Sequence, residues 1–253
     1  MDKKYSREFG IVQVDKNSRV AGFQEKPAVP VTLPSNPHAI LINMGVYVFN
    51  TEILVKRLID NAKKKDTQHD FGKNIIPQMI AQDRVFAFPF TDTKTGQVGY
   101  WRDVGTLDAY WEASMELLKS RPLFDMYDAT WPVLTNEVIG APAKVEGFGE
   151  KDGVMYGSVF NSIISRGCII RFGHVSETLL SPNVTVDEYA AVKNCILMNG
   201  VQVGKHCRIQ RAIVDKGVHI PDKTEIGYHP ENDKKRFTVT DSGIVVIGKG
   251  AAF

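Results

Sequence analysis

Two charged side chains follow a short predicted strand in the motif FQEKP, at residues 23–27. Pro27 forces the chain out of the sheet there, and ligands of open α/β sheets bind at the ends of strands. Lys26 offers a compact positive charge for a phosphate, and the Glu25 carboxylate can accept hydrogen bonds from sugar hydroxyls. Two solvated loop charges are the alternative, so the motif needs support from the rest of the chain.

A second motif, YWRDVGT at residues 100–106, places an aspartate between a polar loop and a predicted helix. Asp103 could hold Mg²⁺, with waters and substrate phosphates completing the coordination. A surface ion pair between this aspartate and the neighbouring arginine is the alternative. The motif HDFGK at residues 69–73 is similarly ambiguous, because Asp70 is a helix cap first and a ligand contact only by argument.

The composition is that of an ordinary globular protein, with 43% hydrophobic and 24% charged residues in a chain of 253. The net charge of +2 is too small to indicate a nucleic-acid or membrane surface, so neither partner is expected. Three cysteines without a CxxC pair predict neither a zinc site nor a disulfide framework. No apolar stretch follows Met1, so we expect no signal peptide, no transmembrane span and a cytoplasmic location.

The elements that position these motifs alternate between strand and helix up to about residue 122, which indicates a layered α/β sheet. Four segments are predicted as strands, the third of them buried because it is almost continuously apolar: residues 9–14, 19–23, 44–49 and 85–90. Three helices are predicted to begin at capping residues: Thr51, Asp70 and Thr106. The first has an apolar stripe of Ile53, Leu54, Leu58 and Ile59. Pro77 is expected to end or kink the second.

The second half of the chain contains an internal repeat. Four nine-residue stretches align, starting at residues 162, 178, 195 and 212: SIISRGCII, TLLSPNVTV, CILMNGVQV and AIVDKGVHI. In each, two apolar residues precede a polar turn, whose sixth place is Gly167, Asn183, Gly200 or Gly217. Gly and Asn tolerate positive φ at least cost, so we expect a corner there. Six-residue sides repeating about every 17 residues predict a triangular parallel β-helix, whose simplest role is structural.

Taken together, the motifs resemble one family, the glucose-1-phosphate adenylyltransferases of bacteria and plants. The resemblance runs from Phe9 to Ala251 and rests on motifs in a fixed order: FQEKP, NMGVYVF, HDFGK, YWRDVGT, DMYDATWPV, the repeats and the tail SGIVVIGKGA. It implies an α/β fold in two parts. Residues 1–122 are the expected partial nucleotidyltransferase (Rossmann-like) sheet, and residues 123–253 the expected linker and left-handed parallel β-helix of hexapeptide repeats.

The resemblance also implies a reaction. Glucose 1-phosphate attacks the α-phosphate of ATP in line, with Mg²⁺ neutralising charge, and pyrophosphate leaves, giving ADP-glucose for glycogen or starch synthesis. The implied catalytic residues are Lys26, which binds the sugar phosphate, and Asp103, a Mg²⁺ ligand. The other implied substrate-binding residues contact the glucose or support the pocket: Glu25, Asn43, Gly45, Asp70 and Trp101. Many members of the family have serine where Asn43 stands.

The family further implies regulation by anionic allosteric metabolites and a homo-oligomer, a dimer or tetramer, in which the β-helix takes part. The residues implied in regulation are Arg211, Lys216 and Lys249, for which solvated surface charge is the alternative. Family members begin with a glycine-rich phosphate loop, and none precedes Phe9 here. We therefore expect this chain to carry the sugar-phosphate side of the site and to be inactive alone.

Three other functions stay open. A non-catalytic regulatory subunit would keep the fold, although Lys26, Asp70 and Asp103 are all retained. Another sugar-1-phosphate nucleotidyltransferase would share mainly the EKP element. A hexapeptide-repeat acyltransferase would use a histidine between coils as general base, and three histidines could be proposed: His174, His206 and His219. The resemblance spans that region without an acyltransferase motif, which favours the adenylyltransferase.

Overall fold

The chain divides into two compact units, Met1–Trp101 and Arg102–Phe253. The computed structural model describes residues 1–33, 36–92, 96–135, 139–151 and 154–253. Within those ranges, no helix combines the length and the apolar character that crossing a membrane requires. The domain division after residue 122 stays a prediction.

The first unit is built on an antiparallel hairpin. Its elements in chain order are a 3₁₀-helix (Lys3–Tyr5), β1 (Gly10–Val14), β2 (Val20–Glu25), α1 (Thr51–Ala62), a π-helix (Phe71–Ile75) and α2 (Ile76–Gln82). The β1–β2 turn is held by Asp15 Oδ1, which accepts the backbone N–H groups of Asn17 and Arg19. The first two predicted strands are therefore confirmed. They could be predicted because the turn residues between them satisfy the backbone N–H groups locally.

The helices of this unit differ from prediction in three details. Asn50, and not Thr51, caps α1, since its side chain accepts the Ile53 N–H. Two residues of the predicted apolar stripe, Leu58 and Ile59, are exposed. The helix capped by Asp70 ends at Ile75, just before Pro77, but α2 follows it directly. Pro77 lies in the first turn of α2, where a missing N–H leaves no hydrogen bond unmade.

Two predicted strands of the first unit do not form as such. Residues 44–49 have no ladder partner among the described residues, and Val46 and Val48 are 76% and 99% exposed. Residues 85–90 contribute one isolated bridge, between Phe86 and Arg19. An apolar segment becomes a buried strand only when neighbours supply its hydrogen bonds and cover its faces. Residues 85–90 make two backbone hydrogen bonds with residues 18 and 20, but Phe86 and Phe88 stay exposed.

The second unit contains a parallel β-helix with three sheets as its faces. The first face holds β7 (Ile163–Ile164), β10 (Leu179–Leu180), β13 (Ile196–Leu197), β16 (Ala212–Val214), β20 (Val245–Ile247) and the antiparallel β19 (Thr238–Val239). The second holds β3 (Lys144–Glu146), β8 (Ile169–Arg171), β11 (Thr185–Val186), β14 (Gln202–Val203) and β17 (His219–Ile220). The third holds β6 (Ser158–Phe160), β9 (His174–Ser176), β12 (Ala191–Lys193), β15 (Arg208–Gln210) and β18 (Glu225–Ile226).

Three further elements complete the unit: the hairpin β4 (Phe148–Lys151) and β5 (Val154–Tyr156), and the helices α3 (Leu107–Glu116) and α4 (Pro230–Arg236). The buried Asp233 of α4 accepts the Gly227 N–H at 3.0 Å and pairs with Arg236. These contacts hold α4 against the end of β18, the last strand of the third face.

The register of the coils follows the sequence repeat. Ile163, Leu179, Ile196 and Ile213 occupy equivalent positions in consecutive coils. The four predicted corners all have positive φ: 75° at Gly167, 62° at Asn183, 72° at Gly200 and 68° at Gly217. Together with the α/β character of the first unit, this confirms the predicted fold class.

Each apolar pair of the repeat divides its two residues between inside and outside. Leu197 and Val214 point into the β-helix core, whereas the preceding Ile196 and Ile213 face outward. The outward residues are nevertheless buried, because α3 covers them with Tyr110 and two further side chains, Trp111 and Met115. Thr106 caps α3 as predicted, since its hydroxyl accepts the Ala109 N–H at 3.1 Å.

Candidate functional site

Five of the predicted site residues lie around the beginning of β1, where Phe9 precedes Gly10. The backbone N–H of Lys26 donates to the Phe9 carbonyl oxygen at 3.2 Å, and that of Asn43 donates to the Gly10 carbonyl at 2.8 Å. Trp101 packs edge-on against the Phe9 ring, with the ring centroids 5.6 Å apart. The first unit therefore brings together motifs that are far apart in the sequence.

Lys26 follows β2 directly, in a strained turn. Its φ of 47° lies in the left-handed region, which costs a non-glycine residue roughly 1–3 kcal/mol. The next residue is held in place, because the Ser6 hydroxyl donates to the Pro27 carbonyl at 2.9 Å. The turn thus fixes the backbone at Lys26 while its side chain stays exposed.

The carboxylates of Glu25 and Asp70 come together beside Gly72. A Cβ built on Gly72 would lie 3.5 Å from Glu25 Oε2 and 3.4 Å from Asp70 Oδ1. A Cβ on Gly10 would lie 3.1 Å from the same Glu25 oxygen. The two glycines therefore leave room around two acceptor groups that can take hydrogen bonds from hydroxyls.

The side-chain amide of Asn43 is oriented by two hydrogen bonds within the motif NMGVYVF. Its Oδ1 accepts the Gly45 N–H at 3.1 Å, and its Nδ2 donates to the Tyr47 hydroxyl at 2.7 Å. Because a backbone N–H can only donate, the first bond identifies the amide oxygen. Gly45 has a φ of 72° and open space around it, so a glycine suits this position.

Aromatic residues that sequence reasoning did not single out join these motifs to one another. The Tyr47 ring stacks on Phe71 of the motif HDFGK, with centroids 5.8 Å apart and planes 19° apart. Phe49 packs against both rings. Their place inside the motifs NMGVYVF and HDFGK is the signal in the sequence that could have identified them. Such ring pairs stabilise the site by more than the area they bury.

Asp103 belongs to the second unit. Its Oδ1 accepts the Gly105 N–H at 3.1 Å, and its side chain is exposed. The neighbouring Arg102 forms its ion pair with Glu112 of α3. The alternative interpretation of Asp103, a surface ion pair with Arg102, is therefore wrong. Over the described parts of the chain, no group of three or more His, Cys, Asp or Glu side chains could hold a metal ion.

The predicted regulatory residues fall at two different corners of the β-helix. Val214 pairs with Ile247, so Lys216 and Lys249, each two residues further on, occupy the same place in adjacent coils. Adjacent strands lie about 4.8 Å apart, so the two lysines stand at neighbouring backbone positions. Arg211 lies on the other side of β16.

Arg211 is engaged within the chain. Its guanidinium donates to the Ser242 carbonyl at 3.1 Å and lies over the Trp111 ring, 4.9 Å from the ring centroid. Trp111 in turn donates its indole N–H to the Asn194 carbonyl at 3.2 Å. These contacts attach α3 to the β-helix, which is a structural use of the charge.

The three histidines considered for acyl transfer have separate partners. His174 Nδ1 lies 2.7 Å from the Ser158 hydroxyl, and His219 Nδ1 lies 3.2 Å from Gln202 Oε1. His206 stacks on Tyr189, with ring centroids 5.0 Å apart. Each contact joins a histidine to a residue of the neighbouring coil.

Comparison with known proteins covers both units. A family profile described as "Nucleotidyl transferase" matches residues 1–120, and one described as "GlmU-like, C-terminal hexapeptide" matches residues 141–247. The first profile includes every motif that converges on β1. The second covers the β-helix.

Three curated relatives illustrate the similarity, and each is called glucose-1-phosphate adenylyltransferase. That of Koribacter versatilis is 42% identical over 248 residues, which cover 98% of this chain and 59% of the relative. That of Rhodopirellula baltica is 45% identical over 251 residues, covering 99% and 56%. That of Anaeromyxobacter sp. is 44% identical over 248 residues, covering 96% and 60%. The chain thus spans between 56% and 60% of the length of these relatives.

Proposed function

We propose that this chain, which is 42% and 45% identical to two glucose-1-phosphate adenylyltransferases over nearly its whole length, belongs to their family and carries the sugar-phosphate side of an active site that makes ADP-glucose. In that reaction an adenylyl group passes from ATP to glucose 1-phosphate and pyrophosphate leaves. The observation that carries the proposal is the convergence of Lys26, Glu25, Asn43, Asp70 and Trp101 on the start of β1.

Four of these side chains contact the substrate in the proposal, and Trp101 supports the wall of the pocket. The Lys26 ammonium binds the phosphate of the sugar and offsets its charge as the phosphate oxygen approaches ATP. Glu25 and Asp70 accept hydrogen bonds from glucose hydroxyls, and the oriented amide of Asn43 adds a donor and an acceptor. Holding the sugar in one pose brings its phosphate oxygen into line for attack.

Mg²⁺ is the cofactor of the proposal, and Asp103 is the ligand that this chain offers. One carboxylate is a fitting contribution, since Mg²⁺ is usually bound by one or two carboxylates together with waters and substrate phosphates. When bound, the ion would neutralise negative charge on the phosphates. Asp103 keeps an exposed carboxylate whose Oδ1 is oriented by Gly105, which suits that role.

An anionic metabolite is the proposed regulator, and Lys216 with Lys249 is its binding site. Two ammonium groups in adjacent coils repel each other, so an anion placed between them would relieve that repulsion. Arg211 takes part only if the metabolite displaces its contact with Ser242.

A homo-oligomer and a cytoplasmic location complete the proposal. A regulatory subunit, which need not bind glucose 1-phosphate, and a nucleotidyltransferase that prefers another sugar 1-phosphate are the outcomes that the tests below distinguish.

Calorimetric titration of the 253-residue chain with glucose 1-phosphate tests the sugar-phosphate assignment. We expect binding by the wild-type chain, and a loss of about tenfold or more in affinity for Lys26→Ala, because a charge-assisted contact is removed. Lys16→Ala is the matched control, since Lys16 is an exposed lysine in the turn at the opposite end of the hairpin. It should bind like wild type.

Two results would contradict the proposal. Binding that is equally strong for mannose 1-phosphate or galactose 1-phosphate would remove the glucose assignment. Equal losses in Lys26→Ala and Lys16→Ala would remove Lys26 from the site.

Synthesis of ADP-glucose is a separate prediction. We expect it only when the chain is combined with the part of its relatives that it does not span. Release of pyrophosphate by the purified chain would refute that expectation.

A further inference from the structure

The loop before Asp70 is held by a buried asparagine of α1. Asn61 is 3% exposed and is the one buried residue of that helix, all of which the structure describes. Its Oδ1 lies 2.8 Å from His69 Nδ1, and its Nδ2 donates to Thr67 Oγ1 at 3.3 Å. Thr67 Oγ1 also accepts the backbone N–H of His69 at 3.2 Å. Three side chains thus form one network.

The network maintains a backbone conformation that is unfavourable by itself. His69 has a φ of 54°, in the left-handed region, at a cost of roughly 1–3 kcal/mol. A buried amide is also costly unless its hydrogen bonds are made, so an apolar residue at position 61 would be the simpler way to pack α1. The strained residue lies in the loop that leads into Asp70, and the buried amide of α1 is hydrogen-bonded to that same loop, which indicates that the network serves the position of Asp70.

Asp70 follows this loop and caps the π-helix Phe71–Ile75. Its Oδ1 accepts the Lys73 N–H at 2.8 Å, and its own N–H donates to Asn74 Oδ1 at 3.1 Å. A change in φ at His69 rotates the chain immediately before Asp70. The carboxylate would then leave its place beside Glu25.

We infer that Asn61 and His69 are positioning residues that hold the Asp70 carboxylate beside that of Glu25, so that both carboxylates meet the same sugar. The identity of the ligand in this inference rests on the proposed function. Since Lys26 carries the phosphate contact in that proposal, the network acts on recognition of the sugar hydroxyls and leaves recognition of the phosphate unchanged.

Asn61→Leu tests the inference, because it keeps the size of the side chain and removes both of its hydrogen bonds. Calorimetry should show a loss of about tenfold in affinity for glucose 1-phosphate, with no change for inorganic phosphate. Asn61→Asp keeps an acceptor for His69 Nδ1 and should retain wild-type affinity. In an Asp70→Ala background, Asn61→Leu should have no further effect, since the group that it positions is gone.

A ligand-free measurement makes the test independent of the proposed function. The Lys73 amide, which donates to Asp70 Oδ1, should exchange with solvent about tenfold faster in Asn61→Leu than in wild type or Asn61→Asp. If the wild-type chain binds no glucose 1-phosphate, the proposed function fails and this exchange rate still decides the inference. Unchanged Lys73 exchange, or an equal loss of affinity in the Asp70→Ala background, would overturn it.

Discussion

Individual residues around β1 show how space, as well as charge, defines the candidate site. Gly72 separates the Glu25 and Asp70 carboxylates, and Gly10 lies against the Phe23 ring, whose Cζ would be 2.5 Å from an added Cβ. The two glycines therefore differ in what a methyl group would do. At Gly10 it would clash with a ring, whereas at Gly72 it would make ordinary van der Waals contact with two carboxylate oxygens.

Gly72→Ala should accordingly weaken ligand binding without unfolding the protein. The contacts of 3.4 and 3.5 Å are tolerable, and alanine favours a helix over glycine by about 1 kcal/mol, so the melting temperature should hold or rise. The methyl group occupies the space between the carboxylates, so affinity for glucose 1-phosphate should fall. Gly248→Ala, where an added Cβ meets nothing, is the control. Unchanged affinity in Gly72→Ala would show that the sugar does not enter this space.

Cys195 gives the stability of the β-helix a predictable dependence on alkaline pH. Burial raises the pKa of its thiol to about 12, and the pKa values of the other two thiols, Cys168 and Cys207, are raised for the same reason. The folded state therefore holds the proton more tightly than the unfolded state. The resulting stability is fully present below the unfolded pKa of about 8.5 and is lost as pH rises towards 12.

Urea unfolding between pH 7 and pH 10.5 measures this effect. Each thiol should contribute a slope of up to about 1.4 kcal/mol per pH unit above its unfolded pKa. Cys195→Ala should be less stable at pH 7 and should show a flatter loss at high pH. A slope identical to that of wild type would mean that the thiol ionises without unfolding.

At the scale of elements, α3 is attached to the β-helix by polar contacts at one end and apolar contacts along its length. The Asp108 carboxylate accepts hydrogen bonds from Thr240 and Ser242, and the bond from the Ser242 hydroxyl is the main reason that the pKa of Asp108 is lowered. Along its length α3 covers Ile196 and Ile213. The apolar contacts should dominate the stability, because exposed polar contacts contribute little.

Ile213→Ala tests that view by leaving a cavity under α3. The free energy of unfolding should fall by about 2–4 kcal/mol, as for other buried isoleucines cut to alanine. Ile139→Ala is the matched control, because Ile139 is 95% exposed. Denaturant midpoints of both variants provide the comparison. Equal midpoints would show that α3 does not depend on this contact.

At the scale of the whole molecule, local stability should be uneven between the two units. Each coil of the β-helix pairs with the next in the same chain, whereas residues 44–49 have no ladder partner among the described residues. Hydrogen exchange should therefore be slower for amides of residues 162–220 than for those of residues 9–49. Equal protection would indicate that a partner chain covers the first unit. Light scattering on the same sample tests the proposed homo-oligomer, which a monodisperse monomer would exclude.

The β-helix was predictable from the sequence because its contacts repeat with the period of the sequence. A residue such as Ile196 pairs with the residues one coil away on each side, so the spacing of the repeat is also the spacing of the contacts. The corners followed for a local reason, since Gly and Asn accept positive φ wherever they stand. The hairpin and the caps at Asp70 and Thr106 are likewise decided within a few residues.

Only the tertiary structure decided which distant residues meet. Residues 44–49 have the composition of a buried strand, but burial depends on neighbours that composition does not reveal. The burial of Asn61 was not predicted, because the apolar stripe of α1 indicated that other residues of the helix would be buried. Arg211 and Lys216 are close in sequence, yet β16 separates them, while Lys216 and Lys249 are aligned by one register. These placements depend on long-range packing, which residue types and spacing do not determine.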